Sequence, residues 1–293
     1  MTGSDARPRS VRDVLAAAAG WLAGQGVADD EARLDAELLL AHTLRLRRLD
    51  LYLDHDRPLD EAERERFRGL MRRRGEGREP VAYLLGERGF YGLTLNVGPG
   101  VLVPRPETEH LVEVGLEALR AAGPAPTFVD VGTGSGCVAL ALLREHAPAR
   151  GLGVDRAPDA LAFAVRNARD LGLADRLVLA RGDLLGAVRP ASVDLVVSNP
   201  PYVTPDEAGL LALEVARWEP RGALFDAPGL PLTAALARQA RAALRPGGTL
   251  AVETGQGKAA LVRGLLEQAG LVEVRTVQDL AGIERIVAGR APS

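Results

Sequence analysis

The sequence lacks several features that mark particular classes of protein. It contains one cysteine, Cys137, so no internal disulfide framework can form. No apolar run approaches the roughly 20 residues that a membrane-spanning helix needs. Residues 1–12 carry no apolar stretch behind a basic start, as a signal peptide would. Histidine and cysteine occur without metal-binding spacing. These absences predict a cytoplasmic protein with no membrane segment and no metal site.

The charge balance shows no excess of basic residues. The chain of 293 residues has 36 basic and 39 acidic side chains, which gives a net charge of −3. A protein that holds a nucleic-acid backbone usually carries a basic excess or a basic patch, and here the arginines are scattered. Direct nucleic-acid binding is therefore not expected. The length accommodates one large domain and one smaller domain, and we expect a monomer.

The first 77 residues predict a small all-helical domain. Apolar residues recur with helical spacing in residues 11–22, and residues 59–74 alternate acidic and basic side chains as a solvated helix does. Between them, Asp29 or Asp30 is predicted to cap a helix that runs through Leu44.

Residues 78–108 are predicted to form a linker that contains a short β-hairpin. Apolar residues alternate on either side of Gly92, which is typical of two strands joined by a tight turn. Two prolines then stiffen the chain, and Thr108 is predicted to cap a helix over residues 109–121.

Residues 109–293 alternate between strand and helix patterns. Strands are predicted over residues 127–131, 151–155, 176–180, 193–197 and 249–253, with a final strand pair over 271–277 and 283–288. Helices are predicted over residues 137–145, 159–171, 230–244 and 259–268. This alternation is typical of a mostly parallel sheet that helices cover on both faces.

A glycine-rich loop follows the first of these strands. Glycines 132, 134 and 136 let the backbone turn tightly, and the next helix begins with free N–H groups that face the same space. The spacing is G-x-G-x-G, whereas a dinucleotide fingerprint has G-x-G-x-x-G. A nucleotide or nucleoside ligand is favoured over a purely structural glycine turn.

Acidic residues accompany this loop. Asp155 ends the second strand, where a carboxylate can accept both ribose hydroxyls; its alternative role is to cap the helix before Pro158. Asp183 follows the third strand, where it can accept from an adenine amine while Leu184 packs on the ring; a turn role for Asp183 is the alternative. Acids, Asp130 among them, suit S-adenosylmethionine (SAM), because its sulfonium is positive and it has no pyrophosphate.

The fourth strand leads into Asn199, Pro200, Pro201 and Tyr202. The Asn199 side-chain oxygen and the Pro200 carbonyl are two acceptors that can hold both N–H bonds of a planar –NH2 group, and Tyr202 offers a flat face. An amide nitrogen is a poor nucleophile because its lone pair is delocalised, so fixing both hydrogens would aim that lone pair at a methyl donor. The alternative is that these residues form a simple turn.

Residues 130–136 and 199–202 together resemble class I, Rossmann-like SAM-dependent methyltransferases that act on planar nitrogen. Five further segments, residues 78–86, 101–109, 219–224, 253–256 and 279–285, are similar to the HemK/PrmC family of release factor glutamine N5-methyltransferases. The resemblance implies an α/β fold with a mostly parallel seven-stranded sheet, an antiparallel final strand and a small all-helical domain before it.

The resemblance also implies the roles of individual residues. The residues expected to bind SAM are Asp130, Gly132, Thr133, Gly134, Ser135, Gly136, Asp155, Asp183, Leu184 and Asn199. Those expected to bind the glutamine of the release factor's Gly-Gly-Gln motif are Asn199, Pro200, Pro201 and Tyr202, with Asn199 and Pro200 as the catalytic groups. The helical domain is expected to bind the release factor away from this glutamine. We expect Arg105 and Glu107 to line the crevice.

Two other functions compete with this one. Asn-Pro-Pro-Tyr is shared with adenine N6-methyltransferases of nucleic acid, but such an enzyme would need a basic face, and the helical domain is close to neutral. A SAM-binding module without catalysis is disfavoured by the intact Asn-Pro-Pro-Tyr.

Overall fold

The computed structural model describes residues 10–293. Most of residues 1–12, for which the sequence predicts no signal peptide, lie outside the described residues. The chain forms two compact units: one comprises the residues up to Gly86 together with Ala212–Trp218, and the other comprises Glu87–Leu211 and Glu219–Ser293. Across the described part of the chain, no helix has both the length and the apolar character that crossing a membrane requires.

The first unit is built from helices. They are α1 (Val11–Gly24), α2 (Asp29–Leu44), α3 (Asp50–Leu53), α4 (Glu61–Gly75) and α5 (Val81–Leu85). The three longer helices confirm the predicted ones. Val11, Val14, Ala18 and Leu22 are buried on one face of α1 because they recur at helical spacing. They pack with apolar residues of α2 and α4 into one core.

The predicted side-chain cap of α2 is wrong. Ala28 occupies the N-cap position and makes no capping side-chain bond, while Asp29 and Asp30 lie inside the first turn. Their charges there still favour the helix, because the N-terminal end of a helix carries a partial positive charge. Side-chain caps occur instead at Ser10 before α1 and at Asp60 before α4.

Buried ion pairs join the two segments of the first unit. Arg74, whose side chain is 4% exposed, donates to Asp35 at 2.6 Å and to Glu214 at 3.2 Å. Arg78 donates to the other oxygen of Glu214 at 3.0 Å. Trp218 donates its indole N–H to the Gly77 carbonyl at 2.9 Å. These contacts make Ala212–Trp218 part of the helical unit.

The second unit opens with the predicted hairpin. Strands β1 (Glu87–Phe90) and β2 (Leu93–Asn96) pair antiparallel. Tyr91 and Gly92 both have positive φ in the turn, as the tight turns that join paired strands require. A 3-10 turn, Pro106–Thr108, then leads into α6 (Glu109–Ala121). The predicted side-chain cap by Thr108 is wrong, because its hydroxyl makes no capping bond to this helix.

The rest of the second unit alternates strands and helices. In chain order the elements from Thr127 onward are β3 (Thr127–Val131), α7 (Cys137–Glu145), β4 (Arg150–Asp155), α8 (Pro158–Asp170), β5 (Leu177–Arg181), β6 (Val193–Ser198), a 3-10 turn (Pro205–Leu210), α9 (Leu213–Trp218), α10 (Arg221–Leu224), α11 (Pro231–Ala243), β7 (Leu244–Glu253), α12 (Ala259–Gln268), β8 (Val272–Gln278) and β9 (Glu284–Arg290). Of these, α9 belongs to the first unit. Each predicted strand and helix is present. Strand β7, predicted over residues 249–253, begins earlier, at Leu244. Its pairing with β6 is irregular after Val193.

The seven strands form one sheet in the order β5-β4-β3-β6-β7-β9-β8. Strands β3 to β7 are parallel, and β9 runs antiparallel to both of its neighbours. Helices α6 and α7 bury their apolar side chains on one face of the sheet, and α11 and α12 bury theirs on the other. This confirms the predicted α/β class, with its antiparallel final strand.

Candidate functional site

The predicted site residues follow the carboxyl ends of adjacent strands. Val131, the last residue of β3, pairs with Val154 of β4 on one side and with Ser198 of β6 on the other. In β5, Arg181 pairs with Asp155 of β4. Because parallel strands end at the same edge of a sheet, the glycine loop and the residues after β4, β5 and β6 meet there. This edge is the usual ligand crevice of open α/β sheets.

The glycine loop makes a tight turn at this edge. Gly132, Gly134 and Gly136 all have positive φ, a conformation that side chains disfavour. The amides of Gly132 and Thr133 both donate to the Val154 carbonyl, at 2.8 and 3.1 Å. The loop is therefore fixed to β4 before the chain enters α7 at Cys137.

Asp155 holds two parts of the crevice together. Its Oδ2 accepts from the Gly134 amide at 2.9 Å, and its Oδ1 accepts from the Ala157 amide at 2.9 Å. The carboxylate thus ties the glycine loop to the start of α8, and it also borders the cavity described below. Ligand contact is compatible with this position, whereas the alternative role as helix cap is wrong, because Ala157 occupies the N-cap position of α8 and no side chain caps that helix.

Asp130 lies behind the glycine loop and is 2% exposed. Its Oδ2 accepts from the Thr133 hydroxyl at 2.7 Å and from the Ala139 amide at 3.2 Å. Burial raises the pKa of Asp130 to about 7, although the hydrogen bonds from Thr133 and Ala139 act in the opposite direction. A negative charge on Asp130 is therefore poorly stabilised until a positive group approaches.

A cavity of about 570 Å³ opens along this edge. The predicted site residues that line it are Asp130, Gly132, Thr133, Gly134, Ser135, Asp155, Asp183, Leu184, Asn199, Pro200 and Pro201. Gly136 and Tyr202 are not among the described residues that line it. The volume is within the range of small-molecule sites, roughly 300–1,000 Å³.

The carboxyl end of β6 is locked to its neighbour. The Ser198 hydroxyl donates to the Val131 carbonyl at 2.8 Å. This bond fixes the backbone at the end of β6, directly before Asn199. The Asn199 side-chain NH2 donates to the Thr108 hydroxyl at 3.2 Å. Pro200 is buried and Asn199 is half-buried.

Tyr202 packs away from the cavity wall. A Cβ atom built on Gly255 would stand 2.9 Å from the Tyr202 ring, so the ring lies directly on this glycine. The carbonyl of Tyr202 accepts from the Lys258 ammonium at 2.5 Å. Burial raises the pKa of Tyr202 to about 12, which keeps its hydroxyl neutral. Its predicted role as a flat face for the substrate stays a prediction.

Sequence reasoning missed part of the cavity wall. Val101, Leu102 and Phe225 supply apolar surface there, and Thr108 also lines the cavity. For Val101, Leu102 and Thr108 the signal was the segment at residues 101–109, which resembles the family, whereas no segment singled out in the sequence contains Phe225. In the same segment Arg105 lines the cavity, as expected, whereas Glu107 is not among the described residues that line it. Arg105 donates to both carboxylate oxygens of the buried Glu219, at 2.7 and 2.8 Å.

Two family models match the chain. The model described as "PrmC N-terminal domain" matches residues 13–86, and the model described as "Methyltransferase small domain" matches residues 111–216.

Curated relatives match over most of the chain. The release factor glutamine methyltransferase of Nitratidesulfovibrio vulgaris is 45% identical over 267 residues, which cover 89% of this chain and 89% of the relative. That of Cereibacter sphaeroides is 44% identical over 282 residues, covering 96% of this chain and 98% of the relative. Among solved structures, the 16S rRNA N2 G1207 methyltransferase of T. thermophilus superposes with a TM-score of 0.52 and 20% identity, covering 70% of this chain and 49% of that one. This last likeness concerns the fold alone.

Proposed function

Because the chain belongs to the release factor glutamine methyltransferase family, we propose that it methylates the side-chain amide nitrogen, N5, of a glutamine. The proposed acceptor is the glutamine of the Gly-Gly-Gln motif in peptide chain release factors, and the proposed methyl donor is SAM. The observation that carries the proposal is the position of Asn199 and Pro200 on the same cavity wall as the glycine loop and its acidic residues.

The residues of the cavity fit SAM. The volume of about 570 Å³ is suitable for a nucleoside with an amino-acid tail. Asp155 and Asp183 offer acceptors for ribose and adenine, and the amides at the start of α7 suit the carboxylate of the tail. Asp130 and its neighbours complement a positive ligand. When bound, SAM supplies a methyl group on a cationic sulfur, which is the electrophile of the reaction.

Asn199 and Pro200 are proposed to hold the acceptor amide. The Asn199 Oδ1 and the Pro200 carbonyl accept the two N–H bonds of the glutamine side chain. With both hydrogens fixed, the nitrogen lone pair is directed toward the methyl donor. Orientation of this kind contributes up to about 7–11 kcal/mol in favourable cases. The nitrogen becomes positively charged as it gains the methyl group, and it then releases to solvent, as a proton, one of the two hydrogens that these acceptors hold.

The proline pair contributes rigidity to this arrangement. Neither Pro200 nor Pro201 has an N–H group, and each restricts the residue before it to extended conformations. The Pro200 carbonyl therefore keeps its direction when the cavity is empty. Little conformational entropy is then lost when the glutamine binds.

The helical unit is proposed to bind the release factor at a distance from the glutamine. Its charge is close to neutral over residues 1–80, with 15 basic and 16 acidic side chains, and a protein partner suits such a surface better than a nucleic-acid backbone does. We propose that the protein acts in the cytoplasm, where release factors work, and as a monomer.

The test uses methyl-labelled SAM and three acceptors: a release factor, the same factor with the Gly-Gly-Gln glutamine changed to alanine, and duplex DNA. Label in the unchanged release factor alone is the expected result. Label in DNA with none in the release factor would replace the proposed substrate by adenine, while leaving the proposed cofactor site intact.

A further inference from the structure

Glu253 lies next to Asn199 and has no role in the reaction described so far. Strands β6 and β7 are parallel, and Ser198 pairs with Val252. The residues one step further along each strand, Asn199 and Glu253, therefore stand side by side at the carboxyl edge of the sheet. Glu253 is only 3% exposed, so it lies behind the cavity wall that Asn199 forms.

Three polar side chains meet at this point. The Asn199 NH2 donates to the Thr108 hydroxyl at 3.2 Å, and the side chains of Thr108 and Asn199 both lie close enough to the Glu253 carboxyl for their hydrogens to lower its pKa. A hydroxyl carries a single hydrogen. When it accepts from Asn199, Thr108 keeps that hydrogen for Glu253, and the three groups form a directed chain.

The hydrogen bonds around Asn199 decide which end of its side-chain amide faces the cavity. The oxygen and the NH2 of an amide have nearly the same shape, so only hydrogen bonding distinguishes the two orientations. Thr108 can either donate or accept and cannot select between them alone. An ionised carboxylate can only accept. Glu253 therefore draws the NH2 of Asn199 and the hydroxyl hydrogen of Thr108 toward itself, and Asn199 Oδ1 is left to face away.

The other charges around Glu253 do not explain its burial. Glu107, Arg285 and Tyr202 also face this region. Arg285 donates to Asp279 at 2.9 Å and lies 3.9 Å from Glu107. The Oε2 atom of Glu253 has no hydrogen-bond partner among the residues that the structure describes. A buried carboxylate without an ion pair reduces stability, which is the pattern of a group retained for function.

We propose that Glu253 is a positioning residue, which orients Asn199 through Thr108 and through the Asn199 NH2, so that Asn199 Oδ1 accepts from the substrate amide. This inference rests on the role proposed above for Asn199. Glu253 itself does not touch the substrate.

The protonation of Glu253 gives the proposal a measurable signature. Burial raises the pKa of Glu253 to about 7, the hydrogen bond from Thr108 lowers it, Glu107 raises it and Arg285 lowers it. Below this pKa the carboxyl group also carries a hydrogen, so it no longer selects the orientation of Asn199. The turnover rate of the wild type at saturating SAM should therefore increase as the pH rises through about 7.

The experiment compares Glu253→Gln and Glu253→Ala with Thr254→Val as the matched control. Thr254 is the next residue, is 1% exposed and has a hydroxyl without a partner among the described residues. Thr254→Val therefore controls for the removal of a buried polar group at the same strand end. Steady-state methylation of a release factor is measured from pH 6 to pH 8.5 at saturating SAM, and SAM affinity is measured by calorimetry.

We expect Glu253→Ala to lower kcat by about 100-fold, the scale of a misplaced reacting group, with SAM affinity within a few-fold of wild type. Glu253→Gln should have a kcat between those of Glu253→Ala and the wild type, because the glutamine oxygen can still accept a hydrogen bond. Since glutamine does not titrate, the kcat of this variant should not rise as the pH passes 7. Thr254→Val should behave as wild type. Equal kcat for Glu253→Ala and Thr254→Val, or an unchanged pH profile in Glu253→Gln, would overturn the inference. Absence of methylation by the wild type would instead refute the proposed function.

Discussion

Asn199 is the single residue on which the proposed methyl transfer depends most directly. Its Oδ1 is one of two acceptors for the substrate amide, while its backbone is fixed by the Ser198 hydrogen bond to β3. We expect Asn199→Ala to lower kcat by about 10²–10³-fold, the range seen when one transition-state hydrogen bond is removed. SAM affinity should change only a few-fold. Transfer of labelled methyl and calorimetry with SAM measure the two effects, and unchanged turnover would refute the mechanism.

Asp130 should make SAM binding depend on pH. Burial raises its pKa to about 7, so the group is neutral below that value and negative above it. A carboxylate attracts the cationic ligand more strongly than a carboxylic acid does. Relative to Asp130→Asn, the wild type should therefore bind SAM more tightly at pH 8 than at pH 6.

Calorimetry on both proteins checks this, and the comparison cancels the titration of SAM itself. The prediction fails if the ratio of the two affinities is the same at both pH values.

Single residues also show where prediction from sequence ends. Asp130 and Asp155 could be placed at the cavity from sequence, because Asp130 directly precedes a recognisable glycine loop and Asp155 ends the next strand. Thr108 was assigned a local capping role, yet its hydroxyl accepts from Asn199, which is 91 positions away in the sequence. Glu253 had no role at all. Such contacts depend on the order of strands in the sheet, and spacing along the chain does not contain that order.

At the scale of elements, the turn after β7 should control the Asn199–Tyr202 segment. A Cβ on Gly255 would lie 2.9 and 3.2 Å from two atoms of the Tyr202 ring, too close for the ring to stay in place. We expect Gly255→Ala to reduce methylation of a release factor by about tenfold or more, because small displacements of reacting groups are costly.

The control for this prediction is Gly264→Ala within α12, where the added Cβ would meet no atom closer than 4.0 Å. Alanine favours a helix over glycine, so this variant should keep full activity. If both variants were fully active, the position of Tyr202 would not matter for the reaction.

The buried ion pairs of the helical unit make α4 and α9 interdependent. Removing the Arg74 side chain would leave the buried Asp35 and Glu214 carboxylates without this positive partner. We expect Arg74→Ala to lower the free energy of unfolding by about 3–5 kcal/mol. Arg68 on the same helix pairs with Glu65 but is 49% exposed, and Arg68→Ala should cost only about 0–1 kcal/mol.

Urea denaturation of the two arginine variants provides the comparison. Equal losses of stability would show that the buried pairs contribute no more than a surface pair does.

Elements with long periodic patterns could be predicted, whereas short and irregular ones could not. The parallel strands and their helices follow from apolar patterns that each span many residues. The single-turn helices α3 and α5 and the helix α9 carry too few residues for a period to emerge. The α2 cap was misassigned because two acids at a helix start can stand before or inside the first turn, and side-chain chemistry favours both positions.

At the scale of the whole molecule, the chain passes from the second unit into the helical unit and back shortly after the segment of the proposed substrate site. It leaves the second unit after Leu211, contributes Ala212–Trp218 to the first unit and returns at Glu219. This excursion begins shortly after Tyr202. Its existence was not predictable from sequence, because Glu214 and its arginine partners are separated by more than a hundred positions.

The role proposed for the helical unit predicts different behaviour for large and small substrates. A short peptide with the Gly-Gly-Gln motif would reach Asn199 and Pro200 but would lack contacts with the helical unit. Since remote binding energy contributes to catalysis, we expect kcat/KM for the peptide to be about 100-fold lower than for the intact release factor. Steady-state kinetics on both substrates test this, and equal values would remove the helical unit from substrate recognition.

The most direct test of the proposed chemistry is tandem mass spectrometry of a release factor after incubation with the protein and SAM. The predicted result is a single added methyl group on the side-chain nitrogen of the Gly-Gly-Gln glutamine, formed at least about 100-fold more slowly when Asn199→Ala replaces the wild type. A methyl group on any other residue, or the same modification formed at the wild-type rate with Asn199→Ala, would contradict the assignment of Asn199 and Pro200 as the groups that hold a glutamine amide.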